Sequence, residues 1–152
     1  MIFAIHSFRG SYSFLSNFYT SRFTLEGTTY LTVEHAFQAA KALDLFDQET
    51  ILLAETAEDA KHLGRLVSLR PDWELVKEKL MYNFVNEKFK QNEEIKQKLF
   101  KTGNSYLEEG NMHGDTEWGV CKGKGKNLLG KILMRVRAEL YTIHEMKKRA
   151  KQ

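Results

Sequence analysis

Three polar side chains, Glu34, Gln38 and Lys41, stand at helical spacing in the segment TVEHAFQAAK, residues 32–41. At about 100° per residue they share one side of a helix, opposite an apolar stripe. That stripe consists of Val33, Ala36, Phe37, Ala40 and Leu43. A carboxylate could stabilise a developing cation or activate water, and an amine could attack a carbonyl carbon. The alternative is a polar face in water, where Glu34 also suits the positive end of the helix dipole.

The histidine beside this carboxylate, His35, lies on neither stripe. No HExxH spacing accompanies it, so the sequence does not indicate a zinc site. We expect His35 to be a hydrogen-bonded histidine rather than a metal ligand, and we expect neither a metal nor a redox cofactor.

The segment GVCKGKGKNLLGK, residues 119–131, combines glycine and lysine at the predicted start of the last helix. Its GxxxxGK match is not a P-loop, because Ile132 stands where Ser or Thr must bind Mg²⁺ and leucines fill the loop interior. Backbone N–H groups freed by Gly123 and Gly125, the helix dipole and a cap by Asn127 predict an anion site for phosphate. A flexible surface loop with solubilising lysines is the alternative.

Two further segments, YSFLSNFY and GDTEWGV, place aromatic rings among polar residues in predicted loops. Loops carry binding residues more often than cores do. Phe18 or Trp118 could stack on a base or a ribose, and Ser16 and Asn17 could bind the edge of that ring. The alternative is that the rings fill the core of a small domain.

Asp115, between a glycine and a threonine, is either a turn residue or a second carboxylate. A phosphate site, a stacking ring and two carboxylates together suggest chemistry at a ribose, such as cleavage of an N-glycosidic bond. The transition state of that reaction is cationic, so a carboxylate stabilises it while a second group protonates the departing nitrogen. O-glycosidases use two carboxyl groups in the same way.

The pattern of the remaining chain predicts one continuous domain, residues 1–152, of α+β class with mostly helices and a few short strands. Residues 2–5 read as a strand, and a hairpin turns at Glu26-Gly27. Thr32 and Thr56 are predicted N-caps, and Asn92 is predicted to cap a short helix. The predicted helices cover about 32–45, 56–64, 71–89, 92–103 and 128–148, and two strands are predicted within 104–127.

Composition limits the classes of function. A net charge of +3 over 152 residues does not by itself indicate nucleic-acid binding. One cysteine, Cys121, excludes an internal disulfide and a multi-cysteine zinc site. Because no signal peptide and no membrane-length apolar run is recognisable, we expect a cytoplasmic protein with no membrane partner.

The ordered motifs YSFLSNFY, TVEHAFQAAK, AKHLGR, LRPDWELVKEKLM, LEEGNMHGDTEWGV and GKGKNLLGKILMRVR resemble the NADAR (NAD- and ADP-ribose-associated) superfamily. Within it they are most similar to YbiA-like N-glycosidases, from about Phe8 to Leu140. The resemblance implies hydrolysis of the bond between a ribose and a base or amine. It also implies a phosphorylated ribosyl or ADP-ribosyl substrate, either a ribosylamino-pyrimidine intermediate of riboflavin synthesis or ADP-ribosylated guanine, including guanine within nucleic acid.

Carried onto this chain, the resemblance implies that Glu34, Lys41, Trp73 and Asp115 are catalytic. Lys41 would capture the opened ribose as a Schiff base. Val120 stands where related sequences carry a carboxylate after the Trp-Gly pair, which places more weight on Asp115. The predicted substrate- and phosphate-binding residues are Ser16, Asn17, Phe18, His35, Gln38, Trp118, Gly123, Lys124, Gly125, Lys126 and Asn127.

Two other functions compete with the enzyme. A non-catalytic module for ADP-ribose or a related NAD derivative would use the same loop and rings without breaking a bond. A nucleic-acid binder would use the lysines, and its affinity would fall steeply with salt.

Overall fold

The computed structural model describes residues 3–152, and it confirms an α+β chain in which helices predominate. The strands are β1 (Ala4–Ile5), β2 (Phe23–Leu25), β3 (Thr28–Tyr30), β4 (Tyr106–Leu107), β5 (Gly110–Asn111) and β6 (Val120–Cys121). The helices are α1 (Val33–Lys41), α2 (Leu45–Leu52), α3 (Ala57–Gly64), α4 (Trp73–Gln91), α5 (Glu93–Lys101) and α6 (Leu128–Ala150). A 3₁₀ helix spans Gly10–Leu15.

The described residues form two compact units. The middle unit comprises residues 17–92 and holds β2, β3 and α1 to α4. The terminal unit comprises residues 3–16 and 93–152 and holds the remaining elements. The expectation that residues 1–152 form one domain stays a prediction.

In the middle unit, the predicted hairpin is confirmed. Strands β2 and β3 pair antiparallel, with Phe23 opposite Tyr30. The turn residues Glu26 and Gly27 have φ angles of 51° and 83°. Two successive positive φ values match the right-handed twist of the flanking strands. The Phe23 ring packs on Phe84 of α4 with centroids 6.3 Å apart, so the hairpin shares the apolar core of that helix.

The first helix is shorter than its pattern predicts. α1 ends at Lys41 rather than near residue 45, because Ala42 is extended and bridges Leu69. Asp44 then caps a separate helix, α2, by accepting the Phe46 N–H at 2.7 Å. The sequence analysis missed α2. The cap at Thr56 is confirmed, since its side chain accepts the Asp59 N–H at 3.0 Å.

Small side chains let α1, α2 and α3 approach closely. Ala39, Ile51 and Ala60, one from each helix, are buried in a common cluster. This contact turns one side of α3 toward α1. The polar stripe of α1 also meets α3, because a Cβ at Gly64 would overlap the Gln38 amide. The sequence of α1 itself does not indicate this neighbour.

The terminal unit contains two short parallel pairs, β1 with β4 and β5 with β6. Three strands lie within residues 104–127, where two were predicted. The predicted strand over 2–5 is confirmed at Ala4–Ile5, and Ile2 lies outside the described residues. Gly130 lies inside α6, where a Cβ would overlap the Leu107 carbonyl of β4. Asn92 ends α4, where its side chain donates to the Lys88 carbonyl at 2.7 Å. The predicted cap of α5 by Asn92 stays a prediction.

Candidate active site

The first turn of α1 is fixed from two directions. The Thr32 hydroxyl accepts the His35 N–H at 3.0 Å, which confirms Thr32 as the N-cap. The Asn17 carbonyl accepts the Glu34 N–H at 3.1 Å. Because these acceptors occupy the first N–H groups, the start of α1 is tied to the loop that carries Phe18.

The polar stripe of α1 is not a wet face. Glu34 and Gln38 are each only 7% exposed. The Gln38 amide donates from Nε2 to Glu34 Oε1 at 2.7 Å. Burial of a carboxylate costs free energy unless hydrogen bonds compensate, so this contact both stabilises the carboxylate and sets its orientation.

The other end of the Gln38 amide lies against α3. Its Oε1 is buried and has no hydrogen-bond partner among the described residues. A Cβ at Gly64 would overlap that oxygen. The missing side chain at Gly64 thus leaves room for the Gln38 amide beside Glu34.

Lys41 closes the stripe at the last turn of α1, where it is half-buried. Burial lowers the pKa of its amine, the charge of Glu34 partly opposes that change, and the charge of Arg65 lowers the pKa further. A lowered pKa raises the fraction of neutral amine, which is the nucleophilic form.

Trp73 lies at the start of α4 and is 7% exposed. Its ring packs against Phe37, with centroids 4.9 Å apart. Phe37 is the member of the apolar stripe that lies nearest to the polar stripe, since it follows Glu34 by three residues and precedes Lys41 by four. Trp73 therefore supports the side of α1 on which the carboxylate and the amine lie.

His35 is fully buried. Its Nδ1 lies 2.8 Å from the Thr32 hydroxyl and its Nε2 lies 2.9 Å from the Ala54 carbonyl. Because both ring nitrogens have protein partners, a direct substrate contact by His35 is not supported. The geometry favours the hydrogen-bonded structural histidine expected from the local sequence over the substrate-binding role that the family resemblance implied.

The loop before the hairpin contributes an aromatic ring to the same unit. Phe18 is 37% exposed, and Lys61 Nζ of α3 lies 5.7 Å from its ring centroid. The Asn17 amide donates to Met81 Sδ at 3.6 Å, and its Oδ1 is buried without a partner among the described residues. Ser16 belongs to the terminal unit, where its N–H donates to the Ser13 carbonyl at 2.9 Å.

In the terminal unit, the glycine–lysine loop (residues 122–127) and the start of α6 use several of their N–H groups within the protein. The N–H groups of residues 126, 128 and 129 donate to the carbonyls of residues 116, 117 and 118 at 2.8–3.1 Å. The Lys124 N–H donates to the Cys121 carbonyl. These donors are occupied by backbone, whereas the N–H groups of Gly123 and Gly125 donate to no residue among 3–152. The lysine side chains of the loop are exposed. Phosphate binding by the loop stays a prediction.

The predicted cap at Asn127 is wrong. Asn127 has a left-handed backbone and its side chain makes no cap hydrogen bond. The buried amide instead accepts the Glu109 N–H at 3.0 Å and donates to the Leu107 carbonyl at 2.9 Å. Phosphate binding by the Asn127 side chain would require breaking those bonds. We therefore assign this side chain a structural role.

Asp115 has the geometry of a turn residue. Its Oδ1 accepts the N–H groups of Glu117 and Trp118, both at 3.0 Å. The Asn111 side chain binds the Asp115 backbone twice: its Oδ1 accepts the Asp115 N–H, and its Nδ2 donates to the Asp115 carbonyl. The second carboxylate oxygen is not used in these bonds, and Trp118 is half-buried next to them.

Two classes of feature are absent from residues 3–152. No group of three or more His, Cys, Asp or Glu side chains is arranged to hold a metal ion. No helix in this range has the length and apolar character needed to cross a bilayer.

The sequence analysis assigned no role to the positive side of α3. Lys61, Gly64 and Arg65 share one side of that helix by their spacing, and Gly64 touches Gln38. The motif AKHLGR contained these residues, but Gly64 was read only as a helix end. Their nearness to the α1 stripe depends on how the helices pack.

Comparison with known proteins places these residues in a recognised family. A model of the NADAR domain matches residues 5–141. A riboflavin biosynthesis protein of Vibrio vulnificus is 41% identical over 133 residues, which are 86% of this chain and 36% of that protein. The chain thus spans about a third of the length of that relative.

Shorter relatives match over most of both chains. An N-glycosidase of Nostoc punctiforme is 41% identical over 135 residues, covering 85% of this chain and 86% of that protein. The N-glycosidase YbiA of Escherichia coli is 38% identical over 138 residues, covering 89% and 86%. The NMR structure of E. coli YbiA superposes with a TM-score of 0.84 at 36% identity, covering 95% of this chain and 87% of that one.

Proposed function

Because the chain belongs to the NADAR domain family, we propose that it is an N-glycosidase that hydrolyses the C–N bond between a ribose and a base or amine. The observation that carries the proposal is the buried pair of Glu34 and Gln38 beside the half-buried Lys41. The naming of similar proteins as N-glycosidases supports it.

Glu34 supplies the negative charge that the reaction needs. As the C1′–N bond breaks, positive charge develops on C1′ and the ring oxygen, and a buried carboxylate stabilises that charge more strongly than one in water. The same carboxylate accepts a proton from the attacking water, whose oxygen bonds to C1′. Gln38 keeps the carboxylate oriented through the 2.7 Å hydrogen bond.

Lys41 contributes an amine with a lowered pKa. In its ring-opened form, the released ribose carries an aldehyde at C1. The neutral amine condenses with that aldehyde, releasing one water and forming an imine, and water later restores both partners. Trapping this imine with a borohydride and weighing the protein tests the covalent role of Lys41.

The resemblance also names Trp73 and Asp115, and we propose a separate role for each. Trp73 packs on Phe37 and so holds the side of α1 that bears Glu34 and Lys41. For Asp115 of the terminal unit, the family resemblance alone supports a catalytic role, and its Oδ2 makes none of the turn contacts. Replacing Asp115 by Asn would keep its Oδ1 turn contacts while removing the ionisable group.

The substrate that fits best is a phosphorylated N-riboside. A ribosylamino-pyrimidine phosphate is supported by the relatives named as riboflavin biosynthesis proteins. ADP-ribosylated guanine, free or within nucleic acid, is the second substrate class that we propose. Cytoplasmic location stays a prediction.

Incubation with each candidate, followed by mass spectrometry of the free base or amine, tests the proposal. We expect one of the two substrates to release its base at a rate that Glu34→Gln lowers by about 10²–10⁴-fold. Binding of both without release would instead identify a non-catalytic ADP-ribose module.

A further inference from the structure

The side of α3 that faces α1 is positively charged. Lys61 and Arg65 are four residues apart and flank Gly64, which touches the Gln38 amide. Three cations, Lys41, Lys61 and Arg65, therefore lie on or next to the two helices, α1 and α3, that meet at the Gln38 amide in the middle unit.

Neither Lys61 nor Arg65 is neutralised by the protein. Within residues 3–152 neither side chain forms a salt bridge, although several other lysines and arginines do. Lys61 is half-buried, and the Phe18 ring lies 5.7 Å from its Nζ. An aromatic face next to an ammonium group limits its positions without cancelling its charge.

The effect of Arg65 reaches the stripe of α1. Its charge lowers the pKa of the Lys41 amine, so the guanidinium is close enough to act on a group of the candidate site. An anion beside Arg65 would thus also be near Lys41. By contrast, several N–H groups of the glycine–lysine loop, among them those of Lys124 and Lys126, already donate to backbone carbonyls.

We propose that Lys61 and Arg65 bind the phosphate of the ribosyl substrate, with Phe18 holding the Lys61 ammonium in place. The inference rests on the proposed function for the identity of the ligand, and it moves the phosphate from the glycine–lysine loop to α3. A phosphate on the 5′ carbon of ribose is common to both substrate classes, and Arg65 can bind it through two N–H groups at once.

Ribose 5-phosphate and ribose, titrated into the full chain by calorimetry, form the test. We expect the wild-type protein to bind ribose 5-phosphate, and we expect Lys61→Ala and Arg65→Ala each to weaken it by about tenfold or more, since charge-assisted hydrogen bonds are lost. Binding of ribose should change little in either variant. Lys79→Ala, which removes an exposed lysine of α4, is the matched control and should not affect either ligand.

Two more variants test the competing position of the phosphate. A selective loss of ribose 5-phosphate binding in Lys124→Ala or Lys126→Ala, with Lys61→Ala and Arg65→Ala unaffected, would overturn the inference. Equal losses for ribose and ribose 5-phosphate in the α3 variants, or no wild-type binding of ribose 5-phosphate, would also overturn it. If binding depends on α3 but no riboside is hydrolysed, the phosphate site stands and the proposed function fails.

Discussion

The starts of α1 and α6 were both predicted to act on or bind a ligand, but they differ in the burial of their side chains. α1 begins with a carboxylate and a polar stripe, and its Glu34 and Gln38 are buried. α6 begins after glycines and lysines, and the lysine side chains of that loop are exposed. In both, the first N–H groups are occupied, by Thr32 and Asn17 in α1 and by the carbonyls of residues 117 and 118 in α6.

The difference shows where chemistry is supported. Burial of a carboxylate costs free energy of folding, and buried ionisable groups are concentrated at functional sites. The α1 stripe is therefore the stronger candidate for catalysis. In the glycine–lysine loop, the glycines allow strands and turns to approach closely. A Cβ at Gly125 would overlap the Gly119 carbonyl, and Gly123 has a φ of 77°.

The most severe test of this contrast is Glu34→Gln. We expect turnover to fall by about 10²–10⁴-fold, because the amide neither stabilises a cation nor accepts the proton of water. Affinity for ribose 5-phosphate should remain within several-fold, as measured by calorimetry next to kcat. Glu49→Gln, at an exposed position of α2, is the control. A tenfold loss of affinity with intact turnover of the bound fraction would argue against the catalytic assignment.

The next test concerns the stability of the α6 start. Asn127→Gly keeps the left-handed backbone but leaves the Glu109 N–H and the Leu107 carbonyl without their partner. We expect the free energy of unfolding to fall by about 2 kcal/mol or more. Lys124→Ala, at an exposed position, should change it by less than about 0.5 kcal/mol. Chemical denaturation measures both free energies of unfolding. Equal losses in the two variants would contradict the assignment of the structural role to the Asn127 side chain.

A third test separates packing from orientation at the α1 stripe. Gly64→Ala places a methyl group on the Gln38 amide and should destabilise the fold by about 1–3 kcal/mol. Adding Gln38→Ser removes the overlap, so the double variant should regain stability but not kcat, because Glu34 has lost its donor. Recovery of kcat together with stability would show that Gln38 does not orient the carboxylate.

The smallest effect that we predict is a shift in pH dependence. Since burial lowers the pKa of Lys41, imine trapping should increase with pH and level off below the ordinary lysine value of 10.5. Arg65→Ala removes a neighbouring positive charge, so the pKa should rise and the midpoint of trapping should move to higher pH. The measurement uses saturating ribose 5-phosphate, with Lys41→Arg as the untrappable control. A midpoint that moves to lower pH would exclude the inferred contact.

Local signals were sufficient for much of the fold. Periodic apolar residues predicted α4 and α6, and Thr32, Thr56 and Glu26-Gly27 predicted caps and a hairpin that the structure confirms. α2 was missed because its only start signal, Asp44, lies within the extension of the α1 pattern.

The site was predicted less completely, for a physical reason. The spacing of Glu34, Gln38 and Lys41 was visible in the sequence, but their burial depends on α3, which follows them in the chain by some twenty residues. Asn127 had the expected residue type for a cap, yet tertiary partners claimed its amide. Helix periodicity gives the side of a helix on which a residue lies and does not identify the neighbour it meets.

The hydrogen bond from the Glu34 N–H to the Asn17 carbonyl has a mechanical consequence. This bond connects the loop residue directly before Phe18 to the backbone of Glu34. We therefore expect a ligand that displaces the Phe18 ring to shift the first turn of α1 as well, and with it the backbone of Glu34.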